Sequence, residues 1–188
     1  MAVKEILPEK ARPVEGVVDT GIVIIAHFAN PARKAAFEFL SRVLRWKKRC
    51  LIPTSTIVGA YHIMTEYIGV ETVSAYRALV KTLETRSPAF HEDITIEATQ
   101  DSLTYAQGYS IESWDGYLVS LAKAHNAPII YSVDQELKRK VKEVEVVNPL
   151  TREDFTEYNK WLEKRLGTPR ARDQPMPGTP QRELHRKR

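Results

Sequence analysis

Short apolar runs alternate along this chain with longer stretches of helical periodicity. Val17-Val18 is a brief apolar run closed by Asp19, and Cys50–Pro53 is a second. PIIYSVD at 128–134 is a third, again ending in an acid; EVEVVNP supplies another, and 89–96 holds a weaker one. Between these runs, apolar residues recur every three or four positions. Ala36, Phe37, Leu40, Val43 and Leu44 mark one helix, opened by Asn30-Pro31, because asparagine caps well and proline suits the first helical position. Ile57, Tyr61, Met64 and Ile68 mark a helix over about 55–68. Val73, Tyr76, Val80 and Leu83 mark another over about 71–85, which Ser87-Pro88 ends. A weakly amphipathic helix closes near Gly108. Ser113 caps the next, with Trp114, Leu118, Leu121, Ala122 and His125 facing inward. A short helix after Asp134 and one over about 152–166 complete the body.

Short strands alternating with helices of about a dozen residues predict βαβ units. The fold class is therefore α/β: a largely parallel central sheet with helices on both faces, three layers in all. The pattern divides the chain into an N-terminal arm (1–16), a domain (17–166) and a tail (167–188) rich in proline and charge, expected to be disordered.

Charge sharpens that division. The formal net charge is +4, and 167–188 alone holds six Lys or Arg against two Asp or Glu. The rest of the chain balances, so the pI describes the tail and not the folded surface. The basic segment RVLRWKKR, with Arg45, Trp46 and Lys47, could follow an RNA backbone and stack a base, although cations at a helix end also simply suit the dipole. The longest mostly apolar stretch, Gly21–Ala29, is too short to span a membrane. The N-terminus lacks the features of a secretory signal, and the single Cys50 reads as a buried strand thiol, which together favour a cytoplasmic location. Glycine-rich phosphate loops, a GxSxG elbow and zinc-type histidine spacing are all missing from the sequence. A phosphatase of the haloacid-dehalogenase type would need a second Asp where Gly21 stands.

Three acids remain as candidate chemistry. Asp19 and Asp134 each end a strand, and Asp115 lies in the first turn of the helix that feeds the second of those strands. Ligands gather at the carboxyl ends of parallel strands. Acids meeting there repel unless a cation lies between them, and an all-oxygen donor set suits Mg²⁺ or Mn²⁺. Taken singly, each acid could be only a cap or a turn residue.

VVDTGI at 17–22 and SWDGYLVSLAKAHNAPIIYSVDQEL at 113–137 resemble the two signatures of the PIN-domain family, the second ending in Ser132, Val133 and Asp134. The resemblance implies a PIN-like fold and Mg²⁺ or Mn²⁺ held by Asp19, Asp115 and Asp134. It also implies cleavage of RNA that leaves a 3′-hydroxyl, a homodimer, and for many relatives an antitoxin-like protein partner. Thr20 and Ser132 then stand as substrate-binding candidates. Two positions depart from the family pattern. Gly21 replaces the usual Asn or Ser, and Gly59 stands where a helix Glu is usual. Glu66, two turns further along that helix, and Glu112, one turn before Asp115, are candidate replacements. A catalytically weak module that binds RNA or a protein partner is the alternative reading.

Overall fold

In the computed structural model, which describes residues 13–166, five short strands pair in parallel in the order β3-β2-β1-β4-β5. The strands are β1 (Gly16–Val18), β2 (Cys50–Pro53), β3 (Phe90–His91), β4 (Ile129–Tyr131) and β5 (Glu145–Val147). Between and after them run α1 (Thr20–His27), α2 (Arg33–Leu44), α3 (Thr54–His62), α4 (Thr72–Leu83), α5 (Ile96–Tyr109), α6 (Ser113–Ala124), α7 (Gln135–Lys140) and α8 (Arg152–Leu166). The expected basic tail, and the expected arm up to residue 12, lie outside the described residues.

Strand alternation divides the core in two. Val18, Ile52 and Tyr131 face one side and pack against α1, α2, α3 and α4. Val17, Leu51, Ile130 and Val146 face the other and pack against α6 and α7. Fully burying one such aliphatic side chain contributes about 1.5–3 kcal/mol, so the two clusters together hold helices on both faces. Cys50 lies fully buried in the first cluster, and burial pushes its thiol up to about 12, consistent with an inert strand residue.

Local rules and packing disagree at several places. The apolar run after Asp19 forms α1, a helix whose residues Ile22–Ala26 are all buried. Asn30 does not open α2, which starts at Arg33. Its side-chain amide donates instead to the carbonyls of Ile25 (2.8 Å) and Phe28 (2.9 Å), and its oxygen accepts from Ala32 N–H (3.0 Å). Asn30 thus joins the end of α1 to the start of α2. Phe37, expected in the core, is exposed, and Phe39 takes the buried place against Tyr131. The expected stripe of α4 is likewise turned outward at Val73 and Tyr76, while Ala75 and Leu79 are buried. Residues 63–67 continue α3 as a wider π-helical turn.

Helix α6 is set by its contact with α5. A Cβ on Gly116 would stand 2.2 Å from the carbonyl oxygen of Ser102 and 3.0 Å from the nitrogen of Ala106. The two backbones therefore cross in van der Waals contact, and Ser102 Oγ donates to the carbonyl of Ser113 (2.7 Å). This crossing fixes the first turn of α6. Trp114 and His125, expected to face inward, are exposed, whereas Leu118, Leu121 and Ala122 are buried as expected.

Candidate metal centre

After β1 the chain builds β2 and β3 on one side of it, then returns to build β4 and β5 on the other. The switch point of the sheet therefore lies between β1 and β4, the position at which open α/β sheets bind ligands. Asp19 follows β1 directly, and its N–H donates to the carbonyl of Tyr131 at the end of β4 (3.0 Å). Ser132 is buried, with 1% of its surface exposed. Its hydroxyl donates to Asp19 Oδ2 (2.6 Å) and accepts from the N–H of Asp134 (2.9 Å). One hydroxyl thus ties the two strand-end acids together. Asp134 is the N-cap of α7, its Oδ1 accepting from the N–H groups of Glu136 (2.6 Å) and Leu137 (3.2 Å).

Asp115 reaches the same place from the first turn of α6. Its carboxyl is pushed up to about 7, first by burial and then by the charges of Asp19, Asp134, Glu112 and Glu136. The Asp19 carboxyl is also raised. Burial is the main cause, opposed by the Ser132 hydroxyl and by the N–H groups of Thr20 and Gly21, and reinforced by the charge of Asp134. Three acids distant in sequence therefore meet in one field, and Asp19 and Asp115 are both harder to ionise for it.

Glu112, the N-cap of α6, belongs to this field, as expected of a nearby acid. Glu136 also belongs to it, and sequence reasoning passed it over. Its signal was its place in the first turn after Asp134, where acids suit a helix N-terminus. Lys140 pairs with it at 2.7 Å on the same helix. Glu66 lies on the exposed side of the π-helical turn and is not among the acids acting on Asp115.

The donor set is the one a hard divalent cation takes: carboxylate oxygens that repel while unneutralised. It is not a closed cage. Among the described residues, no three Asp, Glu, His or Cys side chains already converge on a single point. One oxygen of Asp19 accepts the Ser132 hydroxyl, and one of Asp134 caps α7. Asp19, Asp115 and Asp134 therefore fit such an ion as a coupled but open set.

The other candidates fall in different places. Thr20 opens α1 next to Asp19. Gly59 faces it across α3: a Cβ there would stand 3.5 Å from Thr20 Cγ2, an ordinary contact, so the position borders the centre and has room for a side chain. Gly21 is the opposite case, since a Cβ would stand only 2.9 Å from Val133 Cγ2. Arg45, Trp46 and Lys47 form the loop entering β2, at the end of the sheet opposite the acids. This loop therefore lies away from the acidic centre. Trp46 instead packs against both core clusters, with the Arg49 guanidinium 5.2 Å from its ring centroid.

A parallel α/β domain with carboxylates gathered at its switch point is a frame for metal-assisted chemistry on phosphate esters. The PIN domain family model matches residues 16–143, more than half of the chain, and the chain belongs to the PIN domain family. PIN domains are generally nucleases and typically use divalent metal ions. No curated protein matches the chain. Among solved structures, a Pyrobaculum aerophilum protein superposes with a TM-score of 0.51 at 20% identity, covering 71% of this chain and 84% of its own. A chain of a toxin–antitoxin complex from Klebsiella pneumoniae gives 0.48 at 18% identity, covering 71% and 97%.

Proposed function

We propose that this chain is a divalent-metal-dependent endoribonuclease whose centre is Asp19, Asp115 and Asp134. The observation that carries the reading is the meeting of these three acids at the switch point, where burial first and the neighbouring carboxylates second push the Asp115 carboxyl up to about 7. Asp19, Asp115 and Asp134 would hold Mg²⁺ or Mn²⁺. When bound, such an ion polarises a phosphoryl oxygen and stabilises the charge that develops during in-line displacement. The chain's own residues prepare for that. Ser132 holds the Asp19 carboxylate by its hydroxyl, and the cap of α7 fixes the Asp134 carboxylate. Asp115 must lose its proton before it can serve as a ligand. Thr20, beside Asp19, is the candidate for contact with the substrate phosphate, while the buried Ser132 already donates its hydroxyl to Asp19. RNA as the substrate follows from the family resemblance, since the carboxylates themselves would serve any phosphodiester. The same resemblance supports a homodimer and an antitoxin-like protein partner, and the single buried thiol of Cys50 favours a cytoplasmic location. No helix among the described residues is long and apolar enough to cross a membrane.

Gly59 favours a second reading. It borders Thr20 with room for a Cβ and brings no carboxylate, so the helix acid usual in the family is missing here. A catalytically weak module that binds RNA or a protein would tolerate that gap.

One experiment separates the two. Single-stranded RNA, with single-stranded DNA in parallel, is incubated with the protein and Mn²⁺, with and without EDTA. The nuclease reading expects EDTA-sensitive cleavage of RNA that Asp19→Asn abolishes at an unchanged fold by circular dichroism. Cleavage that survives Asp19→Asn overturns the assignment of the centre. Salt-sensitive binding without cleavage supports the module.

A further inference from the structure

Gly21 and Val133 come from the two segments that carry the strand-end acids, and they pack directly on each other. Gly21 lies two residues after Asp19 in the first turn of α1, and Val133 lies between Ser132 and Asp134. The point a Gly21 Cβ would occupy is 2.9 Å from Val133 Cγ2 and 3.5 Å from Asp19 Oδ2. That distance to the methyl is shorter than carbon atoms accept. Asp19 Oδ2 is also the oxygen that receives the Ser132 hydroxyl at 2.6 Å. The methyl of Val133, the bare Cα of Gly21 and one oxygen of Asp19 therefore meet in one small space.

Valine cannot readily yield there. Its branched Cβ restricts χ1, and its γ-carbons have no further rotation by which to move aside. A side chain at position 21 would have to turn Val133 into a less favoured rotamer or move its backbone. The neighbours of Val133 are the two residues that define the centre: Ser132 holds Asp19, and the N–H of Asp134 is bonded to Ser132 Oγ. The segment has no slack, because Ser132 N–H donates to Val147 (3.1 Å) and Asp134 caps α7.

We infer that Val133 is a positioning residue: its methyl, seated on Gly21, fixes the 132–134 segment and so sets the spacing of the Asp19 and Asp134 carboxylates. Gly21 is then a requirement of this arrangement, because the room a side chain would use is already taken by the valine. The functional consequence rests on the proposed metal centre, but the packing does not.

The test is a cycle of Gly21→Ala, Val133→Ala and the double variant. Helix propensity alone favours alanine over glycine at position 21, so harm from Gly21→Ala isolates the steric term. Two readouts are taken. Crystal structures of the metal-free variants report the Ser132–Asp19 hydrogen bond, and calorimetry reports Mn²⁺ affinity. Gly21→Ala is expected to lengthen that bond beyond hydrogen-bonding distance and to weaken Mn²⁺ by about tenfold or more, the size found when residues supporting metal ligands are disturbed. Val133→Ala in the same chain makes room for the new methyl and is expected to restore both. A bond still near 2.6 Å in Gly21→Ala overturns the inference, as does a double variant no better than Gly21→Ala. Wild-type protein that takes up no Mn²⁺ would sink the metal centre itself, and the hydrogen-bond readout would still decide the role of Val133.

Discussion

Asp115 sits where burial and four neighbouring carboxylates all oppose its charge, and its carboxyl is pushed from 3.8 to about 7. The sign of the consequence follows. Between these values the folded, metal-free protein holds a proton that the unfolded chain has lost, so stability falls as pH rises through this window. Asp19, also raised, acts in the same direction. The melting temperature of the metal-free protein is therefore expected to fall between about pH 4 and pH 7, and Asp115→Asn to flatten that fall. Mn²⁺ binding has the opposite slope, because the proton on Asp115 must leave. Affinity should gain about tenfold per pH unit below 7 and level off above it. A Tm that does not vary over this range would contradict the coupling. At this scale the sequence disclosed the acids but not their neighbours. Asp19, Asp115 and Asp134 stand in recognisable contexts at strand and helix ends. Glu136 did not stand out because nothing in the chain fixes the orientation of α7 toward Asp115. The seat of Val133 on Gly21 joins residues over a hundred positions apart, and only tertiary packing creates it.

Elements were legible where period and length agreed. The strand Cys50–Pro53 and the helix over 152–166 lie where periodicity puts them. The run after Asp19 was ambiguous by nature: a continuous apolar segment has no polar face to set its period, and its isoleucines and valine suit a strand locally. In the fold it is a helix, buried throughout Ile22–Ala26. Which face a helix buries also escaped the pattern at α4, where alanine and leucine are buried and the larger Val73 and Tyr76 are not. The crossing of α5 and α6 allows a test at this scale. In Gly116→Ala the new methyl meets backbone atoms on the opposing helix, which cannot rotate away. The helices must separate, Ser102 Oγ loses its carbonyl partner, and Asp115, the residue before Gly116, moves with them. Such overpacking costs about 1–3 kcal/mol, read as a drop in Tm of roughly 2–4 °C per kcal/mol. Gly108→Ala is the control: it lies in α5 with nothing within 4 Å of its Cβ, so alanine should stabilise by up to about 1 kcal/mol. A Gly116→Ala protein as stable as Gly108→Ala would show the crossing to be loose.

Among the described residues, α3 and α4 present an apolar surface that the core does not explain. Val58, 73% exposed, lies beside Tyr61 on α3, and Tyr76, 58% exposed, faces them from α4. With Ile57, Leu79, Val80 and Leu83 they line a hollow of about 230 Å³ that presents almost no polar atoms. Contiguous apolar surface on a folded domain marks a contact, and tyrosine is enriched in such contacts. Charge does not oppose self-association here. The formal excess of +4 lies wholly in 167–188, so the domain presents no net charge to a second copy. A second copy seated on this face, as in the homodimer the family resemblance implies, would bury on the order of 1,200–2,000 Å² in all. Tyr76→Glu places a charge in the middle of the face without touching the buried Ala75 or Leu79, so the fold should survive. Sedimentation equilibrium is expected to give a dimer for the wild type and a monomer for Tyr76→Glu, with both at the same helical content by circular dichroism. A wild type that stays monomeric at tens of micromolar, or a Tyr76→Glu variant that still pairs, removes this face from the dimer. The acids lie at the carboxyl end of the sheet, with no residue in common with this face. A monomeric variant that keeps Mn²⁺ affinity would therefore separate assembly from the centre.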